Sequence, residues 1–274
     1  MTLLAGFFVL FAVVSSLPPD VRVERDIPYL GSDRAEKADL YLPARIPAGC
    51  RIPAVVIIHG GGWVGGDKAA ARERNIGGTL ASHGYAALSI NYRLGEKGNS
   101  MSAWPQNLYD GKTAVRWLRV NADRYQLDPD RIGVIGGSAG GHLAAMVGVT
   151  QPRDGLEPKR PYADVPTSVR CVVDMYGPLF MKTGELPAGE LPVTSPLRYL
   201  DKQDPPFLIL HGTADKTVAV ECSRELAAAL AKAGVEHELV IIEGAPHSFH
   251  LQPNQRDLRP LVLGFFDKHL KKSP

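Results

Sequence analysis

At 274 residues, 45% of them hydrophobic, the chain is long enough to bury one sizeable core and short for two. Lys and Arg (31) nearly balance Asp and Glu (29) for a formal charge of +2, and no basic run precedes Lys271-Lys272, which argues against a nucleic-acid partner. Cys50, Cys171 and Cys222 form an odd set without C-x-x-C spacing, so neither a disulfide framework nor a zinc site is expected.

Leu3 to Val14 is an unbroken apolar run followed by Ser15-Ser16, with small residues at Val14 and Ser16 where a signal peptidase could cut. Residues 1–16 are therefore expected to be a secretory signal, sending a mature chain of 17–274 to the periplasm or the exterior. No Lys or Arg precedes the run, which leaves a membrane anchor as the alternative, but the run is short for a bilayer span and no stable membrane partner is expected. Val21 to Tyr29 and Lys37 to Leu42 read as a hairpin around Gly31-Ser32-Asp33 at a sheet edge. Pro43 to Pro53 is a polar connection. Ala54 to Ile58 is a continuous apolar run, as a parallel strand covered on both faces requires, and it ends in His59-Gly60-Gly61-Gly62-Trp63. Ala69 to His83 predicts a helix, Tyr85 to Asn91 a strand, and Gln106 to Arg124 a helix from the spacing of Leu108, Ala114, Val115 and Leu118. Ile132 to Ile135 reads as a buried strand that runs without a loop into Gly136-Gly137-Ser138-Ala139-Gly140 and the helix formers Leu143 to Met146. Val169 to Met175, Phe207 to His211 and Glu238 to Ile242 are further strands, and Cys222 to Ala233 and Leu258 to Leu270 further helices. The alternation predicts a single α/β domain with a mostly parallel, doubly wound sheet of about eight strands and helices on both faces. Gly177 to Pro206, rich in Pro and Gly, breaks the rhythm and is expected as a short, cap-like insertion over one end of the sheet.

In open α/β sheets ligands sit at the carboxyl ends of the strands, so the residues that follow each strand are the informative ones. Ser138 stands at G-x-S-x-G spacing, where flanking glycines allow a turn tight enough to lift a hydroxyl above the sheet. Taken alone, the pentapeptide is equally a Gly-rich connection. A serine nucleophile needs a base, and the base an orienting carboxylate. His247, after the last strand, and Asp215, after Phe207 to Leu210, can supply both, although singly they read as a loop histidine and a turn-capping aspartate. His250 is the alternative base, less favoured because it lies further into the apolar stretch of Phe249 and Leu251. The H-x-x-H pair it makes with His247 lacks a third metal ligand nearby. Asp174 and Glu243 also follow strands, with Asp174 expected to satisfy local backbone donors and His142 to be structural. The run His59-Gly60-Gly61-Gly62 can bring backbone N–H groups close to a tetrahedral oxyanion. A phosphate-binding loop is excluded there because Asp67 follows Gly66 where that motif needs lysine.

His59 to Trp63, Asn91-Tyr92-Arg93, Gly137 to His142, Ser195-Pro196-Leu197 and His211-Gly212-Thr213-Ala214-Asp215 occur in one order that resembles the α/β-hydrolase fold esterases related to hormone-sensitive lipase. The nearest likeness is to the short secreted carboxylesterases that include feruloyl and acetyl xylan esterases of the bacterial type, and it covers Val23 to Leu270. The resemblance implies a serine carboxylesterase with Ser138 as nucleophile, His247 as base and Asp215 as orienting acid. It further implies an oxyanion hole from the N–H groups of Gly61, Gly62 and Ala139, Trp63 in the acyl pocket, and no metal or cofactor. The implied substrate is a small or polysaccharide-linked ester. An amide hydrolase resembling kynurenine formamidase, with its similar HGG-x-W element, is the alternative enzyme, and a non-catalytic binding protein the alternative class. Two departures stand out. The large N-terminal helical cap of hormone-sensitive lipase relatives is absent, which predicts an open, shallow site suited to short-chain or aromatic acyl groups. Val218-Ala219 stands where the family usually has valine-proline.

Overall fold

The computed structural model describes residues 17–181 and 190–271. The expected signal at 1–16 and the middle of the expected insertion, 182–189, lie outside them. Eight strands, β1 (Val21–Ile27), β2 (Ala38–Pro43), β3 (Ile52–Ile58), β4 (Ala86–Ile90), β5 (Leu127–Gly137), β6 (Val172–Met175), β7 (Phe207–Gly212) and β8 (His237–Ile242), form one sheet in the order β1-β2-β4-β3-β5-β6-β7-β8. The β1–β2 hairpin packs antiparallel at one edge and every pair from β4 to β8 is parallel.

Side chains alternate across this sheet, so each apolar strand feeds two cores. Val56, Ile58, Val134 and Ile209 meet Leu108 of α2 (Gln106–Val120), Leu143 of α4 (Ala139–Val149) and Leu226 of α5 (Val220–Ala233). Val55, Ile57, Ile135 and Leu208 meet Ile76 and Leu80 of α1 (Ala71–Ser82) and Val262 and Phe266 of α6 (Arg259–Leu270). A continuous apolar strand is what two-sided burial demands. No helix among the described residues is long and apolar enough to cross a membrane.

Most boundaries differ from the sequence expectation by one to three residues, and two differ by more. The helix expected over Gln106 to Arg124 stops at Val120 and resumes as the single turn α3 (Ala122–Tyr125). At the break Trp117 O accepts both the backbone N–H of Asn121 at 3.0 Å and its side-chain amide at 2.9 Å, which caps the end of α2. The central strand starts at Leu127 rather than Ile132, because Leu127 pairs with Ile52. The register shifts between Ile52 and Ala54, where Pro53 has no N–H to give the ladder. Cys50, Cys171 and Cys222 are free thiols.

β5 passes into α4 through a turn that admits no Cβ at its ends. A methyl group at Gly136 would collide with Gly140 O, and one at Gly140 with Ile58 O at the end of β3. Gly140→Ala is therefore expected to lower unfolding free energy by about 1–3 kcal/mol, read as a fall in the denaturant midpoint. An unchanged midpoint would show that the contact between β3 and α4 has slack.

Candidate active site

Ser138 sits in this turn at φ 57°, ψ −124°, a region side-chain-bearing residues seldom occupy. Its amide donates to Met175 O at 2.9 Å, which ties the turn to the end of β6. The hydroxyl Oγ lies 3.0 Å from His247 Nε2, and His247 Nδ1 lies 2.6 Å from Asp215 Oδ2. A carboxylate only accepts, so Nδ1 carries the proton and the Nε2 lone pair is left to accept from Ser138. The sequence places these three residues on the loops after β5, β7 and β8, and the parallel sheet brings those loops together.

Asp215 is held by more than the imidazole. Its Oδ1 accepts from the amides of Thr217 and Val218 at 2.8 and 2.9 Å. Burial opposes ionisation, but the hydrogen bonds from His247, Val218 and Thr217 outweigh it and hold the carboxyl below the usual aspartate range. His211, which the sequence marks only as the first residue of the motif ending in Asp215, stands behind the acid. Its Nε2–H donates to Val218 O at 3.0 Å and lies 3.2 Å from Asp215 Oδ2, while Nδ1 accepts from Ser223 Oγ at 2.7 Å. A carbonyl cannot donate, which settles the tautomer, and burial pushes the pKa of His211 down so that the ring stays neutral.

β3 leads directly into the glycine run. The His59 ring stacks on Tyr92 with centroids 4.4 Å apart, its Nδ1–H donates to Gly60 O at 2.7 Å, and Tyr92 Oη donates to His59 O at 3.0 Å. These bonds fix the entry to the loop. Gly61, at φ 118°, turns its carbonyl to accept from the amides of Val64 and Gly65. Among the described residues nothing accepts from the amides of Gly61 or Gly62. Ala139 opens α4, where the helix offers its amide no acceptor. Backbone N–H groups without an acceptor among the described residues thus come from both the glycine run and the start of α4.

Ser138, Gly62 and Ala139 line a cavity of about 560 Å³ whose remaining wall includes Trp63, Val64, Pro178, Leu179, Phe180, Val218 and Cys222. Trp63 is therefore at the pocket, edge-on to His142 at 5.3 Å. His142 is buried and donates from Nε2 to Thr194 O at 2.6 Å, fastening the return of the insertion to α4; burial pushes its pKa down to about 4. A larger cavity, about 950 Å³, opens beside Val169 and Pro205 at the amino-terminal ends of β6 and β7, and Ser138 takes no part in it.

The competing residues are left apart. His250 is exposed and its Nδ1 accepts from the Gln252 amide at 2.9 Å. Glu243 is exposed. Asp174 is buried, accepts from the Gly177 amide at 2.9 Å, and has its pKa pushed up to about 7 by burial.

The model of the BD-FAE family matches residues 38–190 and 184–230 of this chain. Esterase LipQ of Mycobacterium tuberculosis is 30% identical over 253 residues, which cover 84% of the chain and 58% of that esterase. Among solved structures, a truncated carbohydrate esterase from gut microbiota superposes with a TM-score of 0.78 at 28% identity, covering 92% of this chain and 97% of its own. The propionate-bound esterase 2 of the planctomycete Thermogutta terrifontis superposes with a TM-score of 0.77 at 29% identity, covering 93% and 97%.

The depressed pKa of Asp215 has a consequence for stability. Its ionised form contributes stability that is fully present above about pH 4 and is lost as the pH falls through the lower folded-state value. Thermal midpoints measured below about pH 4 are expected to fall more steeply for the wild type than for Asp215→Asn. Parallel curves would show that the hydrogen bonds around Asp215 do not favour the anion.

Proposed function

The chain belongs to the BD-FAE family of α/β hydrolases, and from that membership and the site geometry we propose that it is a carboxylic-ester hydrolase working through a Ser138 acyl-enzyme. The observation that carries the reading is the continuous hydrogen-bonded chain from Ser138 Oγ through His247 to Asp215, with the serine in strained backbone at the floor of an open cavity. Ser138 Oγ attacks the ester carbonyl while its proton passes to His247 Nε2. The carbonyl oxygen gains a negative charge, which the amides of Gly61, Gly62 and Ala139 stabilise. His247 then protonates the leaving alcohol as the tetrahedral intermediate collapses, and a water, deprotonated by the same nitrogen, hydrolyses the acyl-enzyme. Asp215 keeps the imidazole in its Nδ1–H tautomer and stabilises the imidazolium. Each proton moves through His247, the oxyanion meets backbone dipoles and the imidazolium meets Asp215, so the scheme calls on no cofactor.

The wall of the cavity supports a neutral, apolar acyl group. Among the described residues no charged side chain lines it, and Trp63, Val64, Leu179, Phe180 and Val218 present carbon to the space above Ser138. Its volume exceeds what an acetyl group needs and suits a short aliphatic or an aromatic acyl chain. The similar propionate-bound esterase supports a short acyl group, and the similar carbohydrate esterase supports a carbohydrate hydroxyl as the alcohol.

Replacing Ser138 with Ala is expected to lower turnover of 4-nitrophenyl butyrate by on the order of 10³ or more, and retained turnover would remove Ser138 from the reaction. The organophosphate paraoxon is expected to add one diethylphosphoryl group at Ser138, read by mass spectrometry. Faster hydrolysis of an N-formyl anilide than of any ester would replace the esterase reading with an amidase. Val218→Trp, which fills the pocket beside Cys222, is expected to reduce kcat/KM for an octanoate ester by about 10-fold or more while sparing the acetate ester. Equal losses for both chains would place the acyl group elsewhere.

A further inference from the structure

One side chain from outside the strand-end loops reaches across several of them. Arg72, on α1, is 14% exposed. A methyl group at Gly60 would lie 3.1 Å from its Nη2 and one at Gly137 3.0 Å from its Nη1, so the guanidinium lies against both the glycine run and the turn that holds Ser138. Its Nε and Nη2 donate to Glu73 Oε1 at 2.8 and 2.6 Å, which pairs the buried cation. Its Nη1 donates to Tyr176 Oη at 3.1 Å.

A guanidinium has donors only, so Tyr176 accepts from Arg72 and sends its own hydrogen to Phe249 O, 2.6 Å away. Phe249 stands just beyond His247 and Ser248, on the loop that carries the base. The Tyr176 ring meets the His247 imidazole edge-on with centroids 4.9 Å apart and the Phe249 ring at 4.5 Å. Tyr176 is itself anchored at the end of β6, fully buried, at φ 45° and with its amide on Leu210 O at 2.7 Å. Every bond in the series has one direction, and none of its members can turn to another partner without leaving a buried donor or acceptor unpaired.

We propose that Arg72 and Tyr176 are positioning residues for His247. The chain from Arg72 through Tyr176 to Phe249 O locks the base loop in register with the glycine run and the Ser138 turn, and the tyrosine ring limits the tilt of the imidazole so that Nε2 stays on Ser138 Oγ. The proposal rests on the esterase reading of Ser138. It assigns neither residue a contact with substrate.

Tyr176→Phe keeps the ring against His247 and removes only the hydroxyl. With folding verified by circular dichroism, its kcat on 4-nitrophenyl butyrate is expected to fall about 10- to 100-fold, as a small misplacement of a catalytic group does, with KM nearly unchanged. Phosphorylation by paraoxon is expected to slow in parallel, and the downfield proton resonance of His247 Nδ1–H to shift or broaden. Arg72→Lys keeps the cation but cannot bridge Glu73 and Tyr176 together, so it is expected to show a smaller loss of the same kind. The double variant is expected to lose no more than Tyr176→Phe, since Arg72 acts through the hydroxyl. Wild-type kcat and an unmoved resonance in folded Tyr176→Phe would overturn the positioning role while leaving Ser138 as nucleophile. Failure of the wild type to react with paraoxon would instead overturn the esterase reading. Should Tyr176→Phe not fold, the same three measurements on Arg72→Lys decide the positioning role: a reduced kcat, slowed phosphorylation and a moved resonance support it, and wild-type values overturn it.

Discussion

Gly140 packs on the carbonyl of Ile58 and Gly136 on the carbonyl of Gly140, with no room for a side chain at either. This approach of α4 to the end of β3 forces Ser138 into its unusual backbone conformation, because a relaxed turn would push the helix off the sheet. β3 continues straight into the glycine run, so the same contact sets where the amides of Gly61 and Gly62 stand relative to the hydroxyl. Gly60 completes the fit: a methyl group there would come within 2.8 Å of Gly137 O and 3.2 Å of Ser138 Cβ. Packing of backbone against backbone thus holds Ser138 and the amides of the glycine run at one spacing, with few side chains able to relax it.

Charge at the site follows donor supply rather than burial alone. Asp174 lies within β6, not after a strand as its position had suggested, Asp215 follows β7, and both side chains are nearly shielded from solvent. Asp174 receives one backbone amide, and burial pushes its pKa up to about 7. Asp215 receives the amides of Thr217 and Val218 and the His247 imidazole, with the neutral His211 ring close behind, and stays an anion. That anion keeps the His247 proton on Nδ1, which is the condition for Nε2 to face Ser138 as an acceptor.

The insertion bears on the pocket through its described flanks. Pro178, Leu179 and Phe180 form part of the wall, and the returning segment of chain is pinned by the bond from His142 to Thr194 O. His142 in turn supports Trp63 edge-on. A histidine on α4 therefore couples the glycine run to the insertion, and its low pKa keeps it a single-proton donor over the neutral range.

Much of this was legible in the residues. Continuous apolar runs alternating with helical stretches specified a parallel sheet with two cores, G-x-S-x-G marked the turn, and the order Ser138, Asp215, His247 matched strand-end loops, because each of these signals is local or periodic. The end of α2 at Asn121 and the start of β5 at Leu127 rest on a side-chain cap and on a pairing with Ile52, neither of which periodicity weighs. His211 could have been found, since it sits in the same motif as Asp215, but its partner Ser223 lies on the following helix. Arg72 and Tyr176 carry no such signal: one lies in an ordinary helical turn and the other just past a strand, and they meet only across the assembled sheet. The sequence by itself determined which residue types end which strands. Only the tertiary structure decided which donors face Asp215 and His247, because hydrogen-bond direction and burial arise between segments far apart in the chain.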